Sequence, residues 1–272
     1  MTPGGSKMAA SLSRLCTWLR RRPSYMLLTA DESALGAEPP GRFAQAWVGL
    51  TIQSLAWGLV LCGVWGLAWK AFRDFEPLIM PAMTTVVVFI LWPFRRAAEC
   101  LLELACPGGG RDRSIVAAVI VAAFAMCFMV LKPDFYRNED QLPYWLDWIR
   151  PSAKLYRVLV LMPVWGAWSM LITPQFCRPA AVTEPCVTAM ARKCGALAAA
   201  ACLAVPLAGS IFYFHYLGLR AQVTIAGAAA LSAIAAGLIC CRRTGGLTRR
   251  SLLAANLLTQ LTFVVVYLAG RR

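Results

Sequence analysis

The sequence predicts an all-α fold, a polytopic transmembrane helical bundle of about seven crossings. Three observations carry that reading. Hydrophobic residues make up 59% of the 272-residue chain. They gather in runs near the roughly 20 residues that a bilayer crossing needs. Turn residues and arginines fill the gaps between runs. A formal charge of +14 would point to nucleic acid in a soluble protein. Here the basic residues cluster between apolar runs, so the lipid bilayer and its anionic headgroups are the expected partners, with a membrane-protein partner possible and nucleic acid not expected.

The chain divides into a cytoplasmic amphipathic and linker segment, 1–46, and a transmembrane helical domain, 47–272. Within the first, 8–28 mixes Leu12, Leu15, Trp18 and Leu19 with Arg14 and Arg20–Arg22. That pattern suits a short helix lying on the headgroups and stopped by Pro23. No uninterrupted apolar stretch follows as a signal peptide would require. Residues 29–42 are polar, contain Pro39–Pro40, and read as a linker.

The first crossing is 47–71, with Gly49, Gly58, Gly63 and Gly66 for close helix approach. The second, about 77–93, is short at roughly 25 Å, and Pro81 is placed to bend it. Segment 95–106 carries Glu99 and Glu103 four residues apart, hence on one helix face, and reads as an amphipathic interfacial helix. Crossings three to seven are 114–131, 156–173, 195–213, 221–241 and 251–269. The longest loop, 132–153, has Tyr144, Trp145 and Trp148 for an aromatic belt. Its acids are balanced by Lys132, Arg137 and Arg150, so it reads as solvated. His215, between Tyr213 and Tyr216, reads as interfacial rather than as a ligand or base.

Lysine and arginine favour the gaps that share a side with the N-terminus. This predicts a cytoplasmic N-terminus, with 132–153 outside. The 11 cysteines are scattered through apolar runs without a C-x-x-C pair, and His215 is the lone histidine. Neither a disulfide framework nor a zinc site is expected.

The most informative stretch is 240–270, CCRRTGGLTRRSLLAANLLTQLTFVVVYLAG. Gly245 and Gly246 mark a turn between two apolar runs. Arg242, Arg243, Arg249 and Arg250 flank it at the membrane surface. Guanidinium groups bind phosphate bidentately, and Ser251 is placed to cap a helix whose N-terminus favours anions. Arg242, Arg243, Gly245, Gly246, Thr248, Arg249 and Arg250 are therefore candidates for binding phosphate or lipid headgroups without metal. Anchoring topology alone is the competing explanation of the arginines.

The same stretch resembles the C-terminal end of the cobalamin synthase family, the membrane-embedded adenosylcobinamide-GDP ribazoletransferases. That family reads Arg-x-x-Gly-Gly-x-Thr-Gly-Asp there, followed by a helix carrying Glu. Arg242 or Arg243, Gly245, Gly246 and Thr248 fit. Arg249 stands at the family's Gly, Arg250 at its acid and Gln260 at its Glu. A Pro-x-x-x-x-Trp-x-Met helix is similar too, with Ala167 where the family has Arg. On the family's acidic helix, Glu99 and Glu103 fall on the first two acids and Cys106 on the third.

The resemblance implies magnesium at Glu99 and Glu103 if transferase activity survives, and a binding or structural role if it does not. The missing acids favour the second, because phosphoryl transfer depends on charge neutralisation by metal ions. An active transferase with a reduced acidic site is the alternative. An unrelated transporter-like bundle is a further one, disfavoured for ion coupling by nearly charge-free crossing centres and no clear internal repeat.

Overall fold

The computed structural model describes residues 22–30, 32–71, 79–90, 92–108, 110–131 and 154–270. The amphipathic stretch up to residue 21, the turn at 72–76, the loop 132–153 and the final arginine pair lie outside the described residues. In chain order the helices are α1 (Pro23–Thr29), α2 (Glu32–Gly36), α3 (Ala46–Ala71), α4 (Ile79–Ile90), α5 (Trp92–Ala105) and α6 (Arg111–Leu131). They continue with α7 (Lys154–Phe176), α8 (Pro185–Lys193), α9 (Ala196–Tyr213), α10 (Leu219–Thr244) and α11 (Arg249–Gly270). Short 3-10 turns precede α3 (Pro40–Gln45) and α10 (His215–Leu217). Among the described residues six helices are long and apolar enough to cross a membrane: α3 with its leading turn, α6, α7, α9, α10 and α11. The protein is an all-α polytopic bundle and an integral membrane protein.

Pro23 starts a helix rather than stopping one. It sits in the first turn of α1, where its missing N–H costs nothing because that donor has no partner inside the helix. The expected linker is likewise ordered. It holds α2 and leads into the first 3-10 turn; Leu35 and Phe43 are buried, and the turn packs against α8.

Contacts at the helix ends fix which termini share a face. The first turns of α3 meet α1, where a Cβ on Gly49 would lie 2.5 Å from Ser24 Oγ. Its last turns meet the start of α7, with Gly66 beside Tyr156 Oη. α6 begins where α11 begins, since Glu103 at the end of α5 faces both Arg113 and Arg250. α7 ends and α9 starts on that same face, where Gln175 Nε2 donates to Cys194 O.

The chain must therefore return between α3 and α6, and it does so in two pieces. α4 packs on α3 and α6, with Phe89 edge-on to Phe124. α5 starts near mid-depth, with Phe94 against Trp57, and climbs to Glu103. Helices of 12 and 14 residues span about 18 and 21 Å, so neither crosses alone. Pro93 near the start of α5 lacks the N–H that would bond back into a continuous helix. Six long spans and this two-piece return make up the expected seven passes, and α5 is part of a pass as well as interfacial.

α7 is the central helix and is buried on nearly every side. Gly58 lets α3 approach it so closely that a Cβ would meet the Val160 backbone at 2.7 Å. α9 is tied on by Trp165 Nε1 donating to Ser210 Oγ at 3.2 Å and Trp168 Nε1 donating to Ala199 O at 3.0 Å. These bonds let the indoles be buried without orphaned donors. Against α11, Gly166 leaves room for Asn256 and Gln260. Gln260 Nε2 donates to Asn256 Oδ1, and Asn256 Nδ2 to Met170 Sδ. At the opposite face Arg157, fully buried, donates to Tyr213 O at 3.2 Å. A cation there complements the C-terminal dipole of α9, and Lys154 Nζ lies 4.4 Å from the Tyr216 ring centre.

Candidate functional site

The turn at Gly245–Gly246 is a helix C-cap of the Schellman type. Gly245 N–H bonds to Arg242 O and Gly246 N–H to Cys241 O, at 3.4 and 2.8 Å. Gly245 takes φ +72° and Gly246 φ +146°, regions that side chains with a Cβ disfavour. Gly246 is also needed for space, because a Cβ there would lie 2.7 Å from the Ala180 backbone. The close approach pairs the turn with the segment after α7. Leu247 N–H donates to Arg178 O at 2.7 Å, and Ala180 N–H to Leu247 O at 3.3 Å.

α11 then starts with a reciprocal cap. Thr248 Oγ1 accepts from Ser251 N–H at 3.1 Å, while Ser251 Oγ accepts from Thr248 N–H at 2.9 Å. This is a capping box with Ser in the usual Glu or Gln place. The cap expected at Ser251 is thus Thr248, three residues earlier. The next N–H without a partner inside the helix, that of Arg249, donates to Glu184 Oε2 at 3.0 Å. A carboxylate of the chain itself already occupies the anion-favouring end of α11.

Arg249 departs from the expected role. It is 2% exposed, and its Nε donates to Leu27 O at 2.6 Å. Its Nη2 lies 3.5 Å from Met26 O. The guanidinium satisfies Leu27 O near the end of α1 and pins that helix to α11, so it does not face a ligand at the surface. Arg250 does the reverse: its side chain is 53% exposed, and Nη1 stands 3.7 Å from Glu103 Oε2.

Between these elements lies a cleft of about 630 Å³ lined by Glu103, Thr183, Glu184, Thr244, Thr248 and Arg250. Leu104, Val182 and Pro185 complete its wall. Its size suits a headgroup-sized ligand. Thr183 Oγ1 donates to Ala180 O and Leu247 O, both at 2.8 Å, and Thr244 Oγ1 to Cys240 O and Gly246 O. Their protons are spent on backbone, so toward the cleft these hydroxyls present lone pairs. Arg242 and Arg243 are exposed just before Thr244, and exposed Arg178 adjoins through Leu247.

Glu99 and Glu103 share α5 but not a partner set. Glu99 binds Arg95 and Arg96, each at 3.0 Å. Glu103 lies 3.8 Å from Arg113 and 3.7 Å from Arg250. Two carboxylates amid four guanidinium groups do not fit a divalent cation, which would meet more positive than negative charge there. Among the described residues no group of three or more His, Cys, Asp and Glu is placed to hold a metal. The described cysteines are all free, and His215 is exposed, edge-on to Tyr216.

No protein-family model matches this chain, and neither does any curated protein or solved structure. The cleft thus stands on its own geometry. It brings together Glu103, Thr248 and Arg250 from the sequence-derived candidates, with Gly245 and Gly246 shaping its edge and Arg242 and Arg243 beside it. It leaves out Arg249 and Glu99. Glu184, Thr183 and Thr244 were missed. The one sequence signal for Glu184 is its place before Pro185, which marks it as the N-cap residue of α8.

Proposed function

We propose that this face of the protein binds phosphate-bearing groups, most simply anionic headgroups of the membrane it spans, without metal. The observation that supports this is exposed Arg250 lining a headgroup-sized cleft, with Arg242 and Arg243 exposed just before its Thr244. Each basic residue near an anionic leaflet contributes about 1 kcal/mol. The face is cytoplasmic on this reading, because the basic residues at the start of α6, in the last turn of α8 and around the Gly-Gly turn share it; that the membrane is a bacterial inner membrane is what the resemblance implies. The likeness to cobalamin synthase is one of frame. With Arg250 and Gln260 at the family's acidic positions, the chain does not make cobalamin phosphate.

Three measurements test this reading. Replacing Arg242, Arg243 and Arg250 together by Gln should weaken binding to anionic vesicles and flatten its salt dependence. Equal binding by variant and parent across a salt series would leave the arginines only a topological role. Reporter fusions after Gly110 and after Gln141 should report opposite sides of the membrane; the same side for both would overturn the orientation. A synthase-deficient bacterium expressing the protein should stay dependent on added cobalamin, and growth without it would restore the transferase alternative.

A further inference from the structure

The lining of the cleft is not what a simple anion site requires. It carries two carboxylates, Glu103 and Glu184, against one guanidinium, Arg250. Glu184 spends one oxygen on Arg249 N–H, and a carboxylate has about four acceptor positions. Both contacts of Glu103, at 3.7 and 3.8 Å, are longer than hydrogen bonds, so its acceptor capacity is largely unspent. Thr183 and Thr244 add lone pairs, their protons being committed to carbonyls. The interior is therefore rich in acceptors, while Arg250 lines it and Arg242 and Arg243 stand exposed just before Thr244.

Inside the cleft neither charge alone is matched, whereas the exposed arginines beside it still attract any phosphate-bearing headgroup. A bare phosphate entering the cleft meets Glu103 and Glu184. A bare divalent cation meets Arg250 and, behind Glu103, Arg113. A ligand carrying both charges a few ångströms apart matches the pattern: its phosphate against the arginines, its cation among the carboxylates and hydroxyl oxygens. The cation must also donate hydrogen bonds, because what faces it is almost wholly acceptor. That requirement selects a primary ammonium over a quaternary one. Val182, 89% exposed, Leu104 and Pro185 give the cleft an apolar wall, which suits a ligand continuing into acyl chains rather than a free polar solute.

We propose that the cleft selects a zwitterionic phospholipid with a primary ammonium, an ethanolamine-type headgroup, held by Arg250 with Arg242 and Arg243 at the phosphate and by Glu103 and Glu184 at the ammonium. This rests on the phosphate-binding reading above, and the experiment separates the two. The full-length protein is incorporated into bilayer nanodiscs holding equal parts phosphatidylethanolamine, phosphatidylcholine, phosphatidylglycerol and uncharged diacylglycerol. It is then extracted in mild detergent, and the retained lipids are quantified by mass spectrometry.

Phosphatidylethanolamine should be enriched about tenfold over phosphatidylcholine, the worth of one charge-assisted hydrogen bond. In Glu103→Gln that ratio should fall toward one. In the variant with Gln at Arg242 and Arg243, retention of all three phospholipids should fall relative to diacylglycerol. Equal retention of the ethanolamine and choline lipids by the parent protein overturns this proposal alone. So does a preference for phosphatidylglycerol, or enrichment that appears only with added magnesium. Retention of phospholipids no better than diacylglycerol overturns the phosphate-binding reading itself. The parent protein's lipid ratios decide the matter even if a variant fails to fold.

Discussion

On the inner side of the α11 N-terminus, Arg249 is buried with its guanidinium on the carbonyls that end α1. On the outer side, Arg250 keeps half its side chain exposed above the cleft. The two residues are adjacent and chemically identical, and the helix separates them by direction alone. Successive positions on an α-helix point about 100° apart, so one faces the bundle and the other faces out. The difference teaches that a basic loop at a membrane surface is not one functional unit. Part of its charge closes the fold and part stays exposed at the surface.

The largest expected effect comes from the inner side. Replacing Arg249 by Gln removes the bond to Leu27 O and leaves that carbonyl without its charged donor. Hydrogen bonds to charged groups contribute about 1.5–3 kcal/mol each, so a loss of about 3 kcal/mol is expected. It should appear as the greatest fall in apparent melting temperature in the series, with α1 becoming protease-sensitive near Thr29. A variant that melts like the parent would mean that the guanidinium does not hold α1.

The two glycines sharpen the same contrast between closing the fold and shaping the cleft. Gly246→Ala would push a Cβ to within 2.7 Å of the Ala180 backbone in a conformation that L-residues rarely adopt. It should cost about 2 kcal/mol and separate Leu247 from Arg178 and Ala180. Gly245→Ala meets no neighbour within 4 Å and should cost about 1 kcal/mol, the ordinary penalty for a left-handed cap. Denaturation of the two variants in one detergent checks the order. A larger loss at Gly245 would contradict the close approach.

Much of this region was legible in the sequence because its causes are local. Apolar run lengths marked the crossings, and consecutive glycines after a helix marked the C-cap. What stayed hidden depends on distant partners. Arg249 meets Leu27 across 222 positions and Glu184 across 65, and no local pattern encodes either meeting. The two-piece return was half legible: Pro93 marked a break, yet the charges of 95–106 read as an interfacial helix. Its role in a pass follows only from which faces α3 and α6 end on. Glu99 and Glu103 read as a pair because a four-residue spacing sets a shared face, but the spacing does not say that arginines claim each one.

A middle effect belongs to the cap that joins the two sides. Thr248→Ala removes the acceptor for Ser251 N–H, and loss of an N-cap hydroxyl costs about 1 kcal/mol. Thr248→Ser retains the oxygen and should recover most of it. If Ala and Ser variants unfold alike, the reciprocal bond with Ser251 contributes nothing.

The smallest effect on stability should come from the outer side, and this gives the comparison its sharpest edge. Arg250 stands 3.7 Å from Glu103 with both side chains substantially exposed. Exposed ion pairs contribute about 0–1 kcal/mol, and salt screening reduces even that. Arg250→Gln should therefore melt within about 0.5 kcal/mol of the parent, while Arg249→Gln, one residue away, shows the largest loss. Retention of phospholipid should show the opposite order, once the Arg249 variant is assayed well below its melting temperature. Arg250 lines the cleft and Arg249 does not. Removing Glu103 with Arg250 in a double variant would then show whether the pair acts on stability as a unit, since a coupling energy near zero is expected for a loose pair. A stability loss at Arg250 comparable to that at Arg249 would mean that the outer arginine also closes the fold, and the division between the two sides of the helix would collapse.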